Sequence, residues 1–223
     1  LPRPGTYYLG DESSLTSYGM EADLCYTDEC LDNFRNWLRN EYSTIEALNA
    51  KWKSAYTGWA DIIPPTIVEA QAEDKWVPWA DHRSFMEWLY ADNLRFIREE
   101  MKKVDPVSEG ELTGTQAPTS FNGMDWALHM DHVKRFVPYS GNFMWDMCRS
   151  FGDDIKMVAL TGYGSKGDGV KNSLWVQAFH GLVGANIFWE WSLVDSDMTL
   201  SQNAVDIGEV FSELRGDGIG RLI

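Results

Sequence analysis

Long apolar runs are missing from this chain: nowhere do eighteen such residues follow one another, so no segment reads as a membrane-spanning helix. Positive charge is scarce as well. Nineteen Lys and Arg stand against 34 Asp and Glu, a formal charge of -15. That balance argues against nucleic acid and anionic membranes as partners, because both are held by clustered cations that displace counterions. The three cysteines, Cys25, Cys30 and Cys148, cannot all pair with one another and are too few for a disulfide scaffold. They leave the redox compartment open. Four histidines, His82, His129, His132 and His180, have no metal-site spacing, and His129 and His132 are expected on the polar face of a helix. There is no Gly-x-Ser-x-Gly elbow and no phosphate-cradling glycine loop. The N-terminus has no charged start leading into an apolar segment, so no targeting signal is read there and no compartment is assigned.

What the chain does have is aromatic surface. With 223 residues, 44% of them hydrophobic and eleven of them Trp, it can bury one substantial core and still offer indoles to a ligand. One domain spanning residues 1–223 is expected.

Short apolar runs alternate with amphipathic stretches, the pattern of parallel strands covered by helices. Strands are predicted at about Tyr7 to Gly10, Glu111 to Thr115, Arg135 to Tyr139, Lys156 to Thr161 and Asn186 to Trp191. Helical spacing of Leu31, Phe34, Trp37 and Leu38 marks a first helix, and Ser43 with Glu46 reads as a capping box opening a second. A long helix is predicted from Ser84 to Val104, another over Asn172 to Val183, and a last one over Gln202 to Leu214, closed by Gly216. Ile62 to Asp81, rich in Pro and acids, reads as an excursion. Five parallel strands are too few for a (β/α)8 TIM barrel, which needs eight. The expected fold is α/β, the second half of such a barrel, with the other half on a segment or chain not seen here.

Two runs carry the chemistry. Tyr7-Tyr8-Leu9-Gly10 ends in Asp11 and Glu12, which places carboxylates at a strand tip, and Asn186-Ile187-Phe188 leads into Trp189, Glu190 and Trp191. Cleavage of a glycosidic bond needs two carboxyl groups flanking it, about 5 to 5.5 Å apart when configuration is retained and about 6.5 to 9.5 Å apart when it is inverted. Glu12 fits the proton donor, its pKa raised by the charge of Asp11 and by an apolar cover. For the second carboxylate two candidates stand: Glu190, which strand alternation turns away from Trp189 and Trp191, and Asp168 in a glycine-rich loop. A third reading is that there is none. Trp189 and Trp191 offer faces to a sugar ring, with core packing as the alternative. Trp145, Tyr139 and Gln116 are further candidates for substrate contact.

These residues resemble glycoside hydrolase family 42, the bacterial β-galactosidases. Gly10-Asp11-Glu12 is similar to the family's Asn-Glu pair, Cys25-Tyr26-Thr27-Asp28-Glu29-Cys30 to its cysteine cluster, and Ile45 to Trp52 to the stretch that follows. Asp81-His82-Arg83-Ser84-Phe85, Asp146 to Ser150, and Gly184-Ala185-Asn186 running on to Trp191 also match. The resemblance implies a retaining barrel enzyme whose strands four to eight are present, with Glu12 as general acid/base, a carbohydrate substrate, no cofactor, and homo-oligomeric assembly. Three departures stand out. Thr27 replaces a cysteine, so no tightly held zinc is expected; Val158 to Tyr163, where the family keeps its nucleophilic Glu, holds no carboxylate; and Asp11 replaces an Asn that contacts the sugar's 2-hydroxyl.

Overall fold

The computed structural model describes residues 5–16, 20, 22–115, 123–139, 142–152, 154–161, 165–188 and 192–215. It divides into two compact units. The first comprises residues 1–13, 98–117 and 130–223, and the second residues 14–97 and 118–129.

The first unit is built on a five-stranded sheet: β1 (Thr6–Asp11), β2 (Glu109–Thr115), β3 (Arg135–Pro138), β4 (Lys156–Thr161) and β5 (Gly184–Ile187). All neighbours pair in parallel and lie in sequence order, so every crossover turns the same way, as in half of a barrel. β1 and β5 are the edges of this sheet. The apolar runs of β3 and β4 follow from burial, since strands of a parallel sheet lose the inside-outside alternation of a half-solvated one. β2, Glu-Gly-Glu-Leu-Thr-Gly-Thr, has little strand propensity of its own. At Gly110 an added Cβ would lie 2.7 Å from Cδ1 of Leu9 on β1, so a larger residue there would have to push that side chain aside. On the helical layer, α7 (Asp168–Phe179) and α8 (Gln202–Arg215) bury Val170, Leu174, Ile207 and Val210 against one another. α6 (Asn142–Arg149) carries Cys148, whose thiol burial pushes up to about 12.

In the second unit, α1 (Asp28–Tyr42) opens on Thr27, whose hydroxyl accepts from the Cys30 amide, and buries Leu31, Phe34 and Leu38 at three- and four-residue spacing. α2 (Ile45–Trp52) and the Phe85, Met86 and Leu89 side chains of α4 (Trp76–Val104) pack the same core, where Phe34 meets Phe85 at 5.3 Å. Below them Asp81 accepts from the Tyr42 hydroxyl at 2.5 Å and the Trp52 indole at 2.6 Å. The cap of α2 is Thr44, which accepts from the Ala47 amide, while Ser43 closes α1; the expected Ser43–Glu46 box does not form, because the cap falls one residue later and Ala47 has no polar side chain to return the bond.

The excursion expected over Ile62 to Asp81 is largely helical. Thr66 and Glu69 form a capping box at α3 (Ile67–Glu73), and α4 begins at Trp76, eight residues before Ser84. Pro78 falls in the first turn of α4, where its missing N–H costs no helical hydrogen bond. The short helix α5 (Trp126–Met130) carries His129 but not His132, and it takes His129 inside. His129 is fully buried with its ring edge-on to Tyr90 at 4.8 Å, so it does not stand on a polar face.

Candidate active site

Glu12 follows β1 directly, and its amide donates to the Thr113 carbonyl at 2.9 Å, continuing the ladder to β2 by one residue. Consecutive strand residues normally point to opposite faces. Glu12 escapes that rule through a positive φ of 50°, and both Asp11 and Glu12 line one cleft. A left-handed backbone at a non-glycine residue costs on the order of 1 kcal/mol and persists where its surroundings hold it. Gly114, itself at φ +60°, provides the room: a Cβ there would meet Asp11 Oδ1 at 2.8 Å and Glu12 Cγ at 2.9 Å.

The cleft holds about 540 Å³ and opens at the C-terminal ends of the strands, within the range of small-ligand sites. The Tyr139 hydroxyl, one residue past β3, donates to Oε1 of Glu12. Deeper in, Glu111 is ion-paired to Arg135 and accepts from the Thr113 hydroxyl at 3.3 Å. The register that sets Glu111 beside Arg135 on neighbouring strands produces this pair. Tyr8 stands at the near wall with its phenol pKa raised, first by burial and then by the Asp11 charge. Leu160, Asn186, Ile187 and Phe188 complete the far wall. Such a site can hold a polar ligand against an aromatic and aliphatic surface, and can exchange a proton with it at a strand-end carboxylate.

Of the residues singled out in the sequence, Asp11, Glu12 and Tyr139 come together here. Trp145 is elsewhere: it is buried on α6, 5.6 Å from the His180 ring, and does not line the cleft. Asp168 is exposed in the first turn of α7 and is not in the lining either. Gln116, Trp189, Glu190 and Trp191 lie outside the described residues, as do Gly162 and Tyr163. The described part of the Val158 to Tyr163 stretch, Val158 to Thr161, brings no carboxylate, and Thr161 is buried. Tyr8, Glu111, Thr113 and Phe188 were not anticipated. Glu111 and Thr113 share a face by the two-residue alternation of β2, whereas Tyr8 stands three residues from Asp11 across a register irregularity between Tyr8 and Gly10, which alternation does not reveal.

Cys25 and Cys30 are joined in a disulfide in the second unit. Their sulfurs are thus not thiolates, Thr27 offers no third sulfur, and no cluster of three metal-ligating side chains occurs among the described residues. The residues present do not fit a four-ligand zinc site. No helix among the described residues is long and apolar enough to cross a membrane.

Parallel strands with intervening helices and a cleft at the strands' C-terminal ends define the class of half-barrels related to (β/α)8 enzymes. The particular family follows from sequence: residues 16–145, more than half of the chain, match the family model described as beta-galactosidase, and the chain belongs to glycoside hydrolase family 42. It is 28% identical over 149 residues to beta-galactosidase BgaA of Planococcus sp. (strain 'SOS Orange'), covering 61% of this chain and 20% of that protein. With BgaA of Clostridium cellulovorans the identity is 35% over 92 residues, covering 39% and 14%. The matched part of the chain thus spans only 20% and 14% of the length of these two relatives. Among solved structures, a beta-galactosidase from Halorubrum lacusprofundi superposes with a TM-score of 0.70 at 17% identity, covering 85% of this chain and 35% of that one. One from Marinomonas ef1 gives 0.68 at 16%, covering 86% and 37%. These likenesses establish the fold.

Proposed function

We propose that this chain supplies strands four to eight of a (β/α)8 glycoside hydrolase, residues 1–223 forming the C-terminal portion of its catalytic domain, and that Glu12 is the general acid/base. The substrate class is β-galactosides or related oligosaccharides and polysaccharides. The beta-galactosidase names of the relatives and the exo-carrageenase among the structural neighbours, at a TM-score of 0.61, support that range.

The observation that carries this reading is the placement of Glu12: a carboxylate held at a strand tip by an unusual backbone angle, facing a sugar-sized cleft. In a retaining reaction Glu12 protonates the departing oxygen and then takes a proton from the attacking water. Glu190 is the proposed second carboxylate. Trp189 and Trp191 would stack the pyranose, and Gln116, Asp11 and Tyr139 would meet its hydroxyls or the carboxylate beside them. A complementary half-barrel would cover the edges at β1 and β5, and assembly into a homo-oligomer belongs to the same proposal.

A second reading comes from the carboxylate-free stretch Val158 to Thr161: a carbohydrate-binding subunit without turnover. A chromogenic β-galactoside assay separates the two. Turnover reduced at least 100-fold by Glu12→Gln supports the enzyme, and saturable sugar binding without turnover supports the binding subunit.

A further inference from the structure

We propose that Asp11 makes the cleft sort galactosides by charge. Those bearing an ammonium group are taken in preference to neutral ones, and those bearing a carboxylate or a sulfate ester are turned away. The proposal rests on the reading of the cleft as a galactoside site. Asp11 ends β1 with its side chain in the cleft lining and open to solvent, where a ligand meets it. Its direction is set on two sides. A Cβ on Gly114 would lie 2.8 Å from Oδ1 of Asp11, so the glycine lets the carboxylate lie against β2, and the Tyr8 hydroxyl is hydrogen-bonded to the same carboxylate.

Asp11, Glu12 and Glu111 all line the cleft, and among the described residues no Lys or Arg does. Arg135 offsets Glu111, to which it is ion-paired, so the charge of Asp11 stays unopposed whether or not Glu12 holds a proton. Tyr8 registers that field from the near wall. After burial, the Asp11 charge is the largest cause raising its phenol pKa, and the Glu111 charge adds to it. The sequence supplies little to reverse the sign. In the first unit, Lys166 is the only Lys or Arg between the end of a strand and the next helix. An anion entering the cleft therefore gives up water against a wall of like charge. A carboxylate also accepts hydrogen bonds and donates none, so Asp11 receives an ammonium or a hydroxyl and has nothing to offer the oxygens of a uronate or sulfate. Selection then comes from repulsion as much as from attraction, and because Asp11 is open to solvent its size depends on salt.

The test reads affinity and needs no turnover. Methyl β-galactoside, its 6-amino-6-deoxy analogue and methyl β-galacturonide carry three different charges at one ring position. Each is titrated calorimetrically into the unmodified chain and into Asp11→Asn at about pH 6, where the amine and the acid are both ionised. At about 20 mM NaCl the amino sugar is expected to bind about fivefold more tightly than the neutral one, and the galacturonide at least fivefold more weakly. At about 1 M NaCl, where screening acts within roughly 3 Å, both ratios should fall to within about twofold. Asp11→Asn should show the narrowed ratios already at low salt. A galacturonide that binds as tightly as the galactoside at low salt, or an amino sugar that binds no better, overturns the proposal. Ratios that persist at high salt, or in Asp11→Asn, make shape the cause and overturn the role given to Asp11. Melting curves establish that Asp11→Asn is folded; should it not be, the salt series on the unmodified chain decides alone. If none of the three sugars binds, the reading of the cleft as a galactoside site fails and this proposal with it, whereas binding without selection by charge overturns only the selectivity.

Discussion

An α-hydrogen of Gly114 points at Glu12 so closely that a methyl group in its place would lie 2.9 Å from Cγ of the glutamate. Two unusual backbones therefore face each other, Gly114 at φ +60° on β2 and Glu12 at φ 50° after β1, and each is workable only while the other leaves it room. Gly114→Ala adds both a clash and a disfavoured φ, which together cost about 1 to 3 kcal/mol. The expected outcome is a folded protein whose melting temperature falls by several degrees and whose glycosidase turnover falls at least tenfold, measured by calorimetry and a chromogenic assay. Unchanged turnover in Gly114→Ala would mean that the direction of Glu12 does not matter to the reaction.

The ion pair between Glu111 and Arg135 lies below the acidic pair, with side chains 12% and 30% exposed. Removing the cation alone leaves Glu111 unpaired in a cleft that already holds Asp11 and Glu12. Arg135→Met is expected to cost about 2 kcal/mol in chemical denaturation. The double variant Arg135→Met/Glu111→Leu should regain at least half of that loss, because no unpaired charge remains. If the double variant is worse than the single by the full cost of a second lesion, the two residues are not energetically coupled.

The strand order and the acids of β1 were legible from sequence because apolar runs and carboxylates at their ends are local signals. Helix α3 was not, since its signal, the capping box of Thr66 and Glu69, lies in a stretch whose prolines and acids suggest a loop. The start of α4 was misplaced because Pro78 reads as a helix breaker in isolation and is harmless in a first turn. Within the cleft, Tyr139 was visible as an aromatic near a strand end, but its bond to Glu12 joins residues 127 apart in the chain and depends on the register of three strands. Trp145 illustrates the converse. Its place near a predicted strand suggested a sugar contact, and only packing assigns it to the helical layer against His180.

The disulfide between Cys25 and Cys30 closes a short loop, five residues apart in sequence, and ties the segment before α1 to its first turn. Cross-linking so short a loop removes little entropy from the unfolded chain, about 2 kcal/mol. Dithiothreitol is expected to lower the melting temperature by a few degrees, and Cys25→Ser/Cys30→Ser should show the same lowering with no further response to reductant. Cys148 does not confuse the experiment, because its buried thiol with a pKa near 12 is poorly reactive. A double variant that stays as stable as the oxidised protein would remove any structural role for the bridge.

Glu87 on α4 makes a prediction about pH. Burial first, and the Asp125 carboxylate second, push its pKa up from 4.5 to about 7, against a smaller opposing pull from Arg83. An acid whose folded-state pKa lies above its unfolded value favours the fold when protonated. Its contribution is therefore present in full below pH 4.5 and is lost as pH rises from there through 7. Glu87→Gln, which is neutral at every pH, should match the unmodified protein in melting temperature near pH 4.5 and exceed it by several degrees at pH 8. Asp125→Asn should produce a smaller gain in the same direction, because it removes the second cause and leaves the first. Equal melting temperatures for Glu87→Gln and the unmodified protein at pH 8 would show that the Glu87 carboxylate is solvated well enough to ionise at no cost to the fold.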